Sequence, residues 1–239
     1  MISFALHMST ETEEQAGHEL GLRERKKQRT RATILRVANE LFLERGFHGT
    51  TIRDIADAAE VSPRTVSAYF PVKEELVFHD HEEVVRRLER RLVDRAPGES
   101  VTDALRAWIA DILETIQRDI DLEAMRCRRE LIESDPALRV YERGLLERFE
   151  RIIARAVADD LGLPPNELVP AMVGAATIAA LDALGRELKT AAGCTPAELV
   201  PQMLDLVDQA MIFIGGGVEA LNAQPEGTVP RVTKADADR

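Results

Sequence analysis

Apolar residues recur with a 3.6-residue period through nearly the whole chain between Lys27 and the Gly215-Gly216-Gly217 run, and nothing reads as a run of strands. A chain patterned this way can bury its apolar stripes only by packing helix on helix, so the predicted fold class is all-α. Composition agrees, because Ala, Leu, Glu and Arg dominate while aromatics are only 4% of the chain, and those four residues are good helix formers. With 239 residues and 45% hydrophobic content, there is material for a small domain and a larger one of about 130 to 150 residues.

Punctuation divides the pattern. Residues 1–22 are polar without a helical stripe and read as a flexible arm, and residues 225–239, rich in Pro, Gly, Lys and Asp, read as a disordered tail. The first strong helix is predicted over about Lys27–Arg45, with Ile34, Val37, Ala38, Leu41 and Phe42 on one face and Gly46 as a left-handed cap. A short helix follows from Thr51 to about Ala59, with Thr51 as N-cap and Asp54 as the capping-box acid. Ser62 and Pro63 start a third, which Pro71 stops after Tyr69-Phe70. A fourth is predicted as one helix from Val72-Lys73 to about Asp94. The remaining helices fall at about 100–118, 120–133, 136–161, 165–191 and 196–214, with the triple glycine fraying or ending the last.

The net charge of −11 hides a segregation. Arg23, Arg25, Lys26, Lys27, Arg29, Arg31 and Arg36 crowd one stretch interrupted only by Glu24, whereas much of the acidic excess lies in the tails and the C-terminal body. Such a basic end either marks nucleic-acid contact or is a solvated face. Residues 51–70 bear on that choice, since two short helices joined around Val61 fit a helix-turn-helix. Ile55, Ala56 and Val61 would pack on Val66 and Phe70, and the second helix would project Arg64, Thr65, Ser67, Ala68 and Tyr69 outward. By spacing alone, an ordinary helical hairpin fits equally well.

The run Thr30-Arg31-Ala32-Thr33-Ile34-Leu35 through Leu41-Phe42 is followed by Gly46-Phe47, Thr50-Thr51-Ile52-Arg53-Asp54-Ile55-Ala56, Val61-Ser62, Tyr69-Phe70 and Lys73-Glu74-Glu75-Leu76. Over about fifty residues this resembles the DNA-binding domain of the TetR family of repressors. The resemblance implies a helix-turn-helix domain over 23–72 and a helical body over 73–224 that binds a ligand and dimerises through its last two long helices. It implies phosphate contacts from Thr51 and Arg53, a groove-facing helix start at Ser62, Arg64 and Thr65, and backbone contacts from Tyr69 and Lys73. Thr30 and Arg31 add contacts at the start of the first helix. The family often has Gly where Arg64 stands and Tyr where Ser67 stands, so Arg64 becomes the leading base reader, able to bond guanine bidentately. The basic stretch Arg23 to Lys27 is either an arm into an adjacent minor groove or merely solvated.

In the body the resemblance is looser. Arg128-Arg129-Glu130-Leu131-Ile132 followed by Pro136-Ala137-Leu138 is similar to a subgroup with an acyl-CoA-like ligand-binding domain. That would let Arg126, Arg128 or Arg129 meet an acidic head, unless these arginines pair with Glu123, Glu130 and Glu133 at the surface. Trp108, Met125, Phe149, Met172 and Ile178, with Arg128, are the ligand-site candidates, and a filled core is the alternative for the apolar ones. Small residues at Ala171, Gly174, Ala175, Ala176, Ala179, Ala180, Ala183 and Gly185 let a partner helix approach, favouring a homodimer on a near-palindromic operator.

No cofactor and no metal site is expected. His79 and His81 are two apart on a helix and point in different directions, while Cys127 and Cys194 form no metal or redox motif. No membrane span is present, and Met1–Met8 lacks the features of a signal peptide, so the expected location is the cytoplasm. Neither a Gly-rich phosphate loop nor a nucleophile placed with a histidine is seen, which speaks against an enzyme. The sequence therefore reads as a ligand-responsive repressor binding a double-stranded operator and released by a small molecule. The rivals are a helical enzyme, carrier or protein-binding adaptor that keeps a relic helix-turn-helix.

Overall fold

The computed structural model describes residues 21–119, 122–164, 167–190 and 196–223. The expected tail, most of the expected arm, Cys194 and the Met125 side chain lie outside the described residues. Among the described residues every regular element is a helix: α1 (Leu22–Arg45), α2 (Ile52–Ala58), α3 (Pro63–Tyr69), a 3₁₀ turn (Lys73–Leu76), α4 (His81–Val93), α5 (Val101–Asp119), α6 (Leu122–Ser134), α7 (Pro136–Leu161), α8 (Leu168–Thr190) and α9 (Pro196–Asn222). The chain divides into two compact units, and the divisions fall inside α4, at the end of α5 and inside α7.

The first unit holds the N-terminal helices through Val84 together with 119–144. Its core forms where the apolar stripe of α1 meets the two short helices: Ile34, Ala38, Ile55, Ala56 and Val66 are fully buried, with Phe42, Phe47 and Phe70 nearly so. This unit does not stop at residue 72, where the sequence suggested a boundary. The predicted single helix from Val72 to Asp94 is also interrupted, since the chain leaves the 3₁₀ turn and restarts a helix only at His81. The break turns Leu76, Val77 and Phe78 inward together, which continuous helical spacing would not allow. Phe78 then stacks on Tyr141 of α7 with ring centroids 5.3 Å apart.

The second unit contains 85–118 and the chain from Leu145 onward. Leu88 of α4, Leu105, Ile109 and Leu113 of α5, Phe149 and Ile153 of α7, Leu181 of α8 and Val207 of α9 are all essentially inaccessible to water. Burying a side chain of this size contributes about 1.5–3 kcal/mol each. Ion pairs close its surface, among them Arg95–Asp160 at 2.8 Å, Arg106–Asp208, and Arg91 with Glu99. α8 packs along α9. The last helix does not end at the triple glycine but runs through it to Asn222. At Gly215 a Cβ would come within 3.1 Å of Thr102 Oγ1, so this glycine permits the close approach of α9 to the start of α5 rather than stopping the helix. No helix among the described residues is long and apolar enough to cross a membrane.

Candidate nucleic-acid interface

The first unit builds its projecting face from two capped helix starts. Thr51 Oγ1 accepts from the Asp54 amide at 3.1 Å while Asp54 Oδ2 accepts from the Thr51 amide at 2.8 Å, a complete capping box. The Thr51 hydroxyl and amide both bond the Asp54 carboxylate, which holds it below the usual carboxylate range. α2 turns over at Ala59 and Glu60, and Glu60 sits at a φ of +56°, a left-handed conformation that non-glycine residues rarely adopt. The Val61 amide donates to the Ala56 carbonyl at 2.9 Å, which tightens the connection. Ser62 then caps α3 by accepting from the Thr65 amide at 3.0 Å, and its hydroxyl shares a second bond with Thr65 Oγ1 at 2.8 Å. Pro63 fills the first helical position, where no amide proton is needed.

Those caps decide what each candidate residue can do. Ser62 and Thr65 are engaged in holding the helix start. Arg64, between them, is exposed and has no hydrogen bond or ion pair among the described residues, and Arg53 on α2 is likewise exposed and unpaired there. Ser67 is exposed two thirds of the way along α3, and Tyr69 is half-buried with its ring 6.5 Å from that of Phe70. The buried side of the same helix is Val66, packed with Phe70 against Ile55 and Ala56. The arrangement leaves an arginine at the first turn of a short, rigidly seated helix, the placement from which a side chain reaches a base edge in the major groove.

Two other candidates have work inside the protein. Lys73 donates from Nζ to the Phe47 carbonyl at 2.8 Å and the Thr50 carbonyl at 3.1 Å, and its ammonium stands 3.9 Å from the Phe47 ring centroid. Burial lowers its pKa from the ordinary lysine value. An ammonium carries three N–H donors, so these two carbonyls leave one for a further acceptor. Arg31 donates to the His79 carbonyl at 2.7 Å and lies over the Phe70 ring, tying α1 to the end of α3. Thr30 bonds back to the Lys26 carbonyl within the helix. Gly46 ends α1 at φ 73° and ψ 169°, a positive-φ turn as expected but extended rather than left-handed helical.

Sequence reasoning missed the brace beneath this face. Thr50 is fully buried and its hydroxyl meets the Leu41 and Gly46 carbonyls at 3.1 and 3.0 Å. Asp135 caps α7 through its Oδ1 and takes His48 on Oδ2. Asp80 is wholly buried beside Arg128, 3.5 Å away, and burial raises its pKa to about 6. A polar side chain at an apolar position of the helical stripe was the available signal for Asp80, but nothing local to it names Arg128, 48 residues away.

The ligand candidates separate. Trp108 and Phe149 meet in the second unit with ring centroids 6.4 Å apart, both almost fully buried, and Ile178 is buried in the same unit. Met172 is instead 60% exposed on α8. Arg128 belongs to the first unit, where it pairs with Asp80, and Arg129 bonds Glu133 at 2.8 Å and Glu142 at 2.6 Å. Two of the three arginines offered for an acidic head group are thus held by carboxylates of the chain.

Comparison with known proteins matches this geometry. Residues 34–79 fit the model described as bacterial regulatory proteins, tetR family, and residues 99–211 fit the model described as the MftR C-terminal domain. The transcriptional regulator TcmR of Streptomyces glaucescens is 33% identical over 142 residues, 58% of this chain and 63% of TcmR, so the chain spans under two thirds of that relative. MftR of Mycobacterium tuberculosis, whose name assigns it to the regulation of mycofactocin biosynthesis, is 27% identical over 83% of this chain and 96% of its own length. Among solved structures, NalD of Pseudomonas aeruginosa, a repressor of a multidrug efflux pump, aligns with a TM-score of 0.53 at 22% identity, covering 77% of this chain and 96% of NalD. The SmeT–triclosan complex aligns at 0.51 and 23%, covering 85% and 98%. These two likenesses carry the fold. The relatives are regulators, against the reading of an enzyme or carrier with a relic head. With its helix-turn-helix and its helical body each matched in turn, the chain belongs to the TetR family of transcriptional regulators.

Proposed function

We propose that this protein is a ligand-responsive repressor that binds a near-palindromic operator as a homodimer and leaves it when a small molecule occupies the body. The observation that carries the reading is Arg64, exposed and unpaired among the described residues at the start of α3 while its neighbours Ser62 and Thr65 lock that helix in place. Phosphate contacts position such a head and the groove-facing side chains specify the sequence. Arg53 and the amides opening α2 suit the first role, and Arg64 with Ser67 the second.

Dimerisation is supported by an apolar strip left uncovered on the two helices that the family uses for it. On α8, Leu168 and Met172 are exposed at 56% and 60%, with Ala171, Ala175, Ala176 and Ala179 beside them at helical spacing. On α9, Ile212 and Phe213 are exposed at 74% and 82%. For the effector, the buried Trp108–Phe149 pair favours a molecule with an apolar portion, an acyl-CoA among them. An effector can release DNA only by preferring the non-binding state, by a few kcal/mol for near-complete release.

The test is binding of the purified protein to DNA from upstream of its own gene, and, if that fails, selection from random duplexes. Arg64→Ala should weaken operator binding by about 1–3 kcal/mol, roughly 5- to 150-fold, and relax preference at one base pair of each half-site. Acyl-CoAs should then lower operator occupancy. Sequence-independent binding that the substitution leaves unchanged would refute the reading head, and occupancy indifferent to acyl-CoAs would remove that effector class.

A further inference from the structure

The sequence left the basic stretch before the helix-turn-helix open between an arm and a solvated face. The structure makes it neither a loose arm nor part of the packed head. Residues 22–30 are the opening turns of α1 itself, and every buried residue of that helix comes later, from Ile34 onward. The match to the family's DNA-binding model also starts only at residue 34. Arg23, Arg25, Lys26, Lys27 and Arg29 are all exposed. Lys27 faces Glu24 at 3.8 Å, and the other four have no ion-pair partner among the described residues.

Such a helix end is electrostatically expensive. Arg23 with Lys27, and Arg25 with Arg29, are like charges one turn apart; positive charge in the first turns also opposes the helix dipole. The N-cap, Gly21, offers no side-chain bond to offset this. Five cations against one glutamate leave this segment at +4, in a chain whose remainder must then carry −15. A polyanion would relieve the repulsion, and its nearest source follows from where α1 lies. Arg31 sits over the ring of Phe70, the residue that ends α3. At about 1.5 Å of rise per residue, the helix continues roughly 12 Å beyond that point to Arg23. The cationic turns therefore carry α1 past the point where it meets the end of α3, within the unit that holds the reading helix.

We propose that the first two turns of α1 are a second DNA surface, in which Arg23, Arg25, Lys26 and Arg29 grip the phosphate backbone of the duplex flanking the site read by α3. The grip is made by side-chain cations and not by the helix amides, so it adds affinity and length of contact without sequence preference. It rests on the DNA-binding reading of α3 and extends the footprint of that reading outward.

The experiment compares full-length protein with the quadruple variant R23Q/R25Q/K26Q/R29Q on a random-sequence duplex, measured by fluorescence anisotropy over a series of potassium chloride concentrations. Removing one cation from a phosphate should flatten the plot of log affinity against log salt by about 0.9, so the variant slope should fall by about 2–4. A second variant, R23K/R25K/R29K, should keep the wild-type slope, because the charges remain. The glutamine variant should be at least as heat-stable as the wild type and should select the same sequence from a random pool. An unchanged slope in the glutamine variant, with wild-type binding intact, overturns the proposal alone. A lowered melting temperature would mean that the cations serve the fold, and overturns it too. Failure of the wild type to bind any duplex would instead count against the reading head, and the proposal would fall with it.

Discussion

At Asp80 the first unit holds a carboxylate that water does not reach. Burial favours its neutral form and raises its pKa to about 6, against the opposing pull of Arg128 and, more weakly, Arg31. Its Oδ2 has no hydrogen-bond partner among the described residues. A buried acid paired at 3.5 Å with one arginine recovers only part of its desolvation cost. Because the folded pKa lies above the unfolded value, the native state binds the proton more tightly, so this group stabilises the fold most below about pH 4. That contribution is lost as pH rises through 6, with a magnitude on the order of 2–3 kcal/mol. Asp80→Asn should flatten this part of the stability curve, measured by urea unfolding at a series of pH values between about 4 and 7. An unaltered pH profile in the variant would show that Asp80 does not titrate in that window. In the same unit Arg31 and Lys73, which the family resemblance offers as contacts to the DNA backbone, also donate to backbone carbonyls of the protein.

Among the elements, the short helices α2 and α3 were the most legible, because side chains adjacent in sequence settle their ends. Thr51 with Asp54, and Ser62 with Pro63, form the caps that their identities predict. The elements that departed from prediction did so through distant contacts. The helix expected from Val72 breaks where Phe78 turns in to stack on Tyr141, and α9 continues through three glycines, the first of which lies against Thr102. Gly174 of α8 shows the same effect more strongly, since a Cβ there would lie 2.5 Å from the Glu150 carbonyl oxygen and 3.3 Å from Ala154. Backbone cannot yield cheaply, so Gly174→Ala should destabilise the second unit by about 1–3 kcal/mol despite its better helix propensity. Differential scanning calorimetry is the check, and an unchanged or raised melting temperature would mean that α7 and α8 can separate at no cost.

For the whole molecule, the uncovered strip on α8 and α9 makes a prediction about assembly. Phe213, at 82% exposure, is far more apolar surface than a monomer gains by displaying. Phe213→Asp should shift sedimentation from dimer toward monomer, and operator affinity should drop at least about tenfold because two reading helices no longer bind as one unit. A variant that remained dimeric would place the interface elsewhere. Charge is distributed on this scale too, since an acidic chain can bind DNA only if its cations are gathered at one end.

The all-helical class, the two capped short helices and the outward arginine of α3 were determined by the sequence alone, because period, caps and turn residues act over a few positions and need no distant partner. By spacing those helices fit a plain hairpin equally well, and the family resemblance favoured the helix-turn-helix. The tertiary structure decided the rest. It assigned Arg128 to Asp80 and His48 to Asp135, pairs 48 and 87 residues apart, and carried the reading-head unit on to Val84 and 119–144. It also separated Met172, exposed, from Trp108 and Phe149, which meet in a core. The physical reason is that a local pattern fixes which side of a helix is apolar, while the partner opposite each side chain depends on how far the chain must travel before it returns.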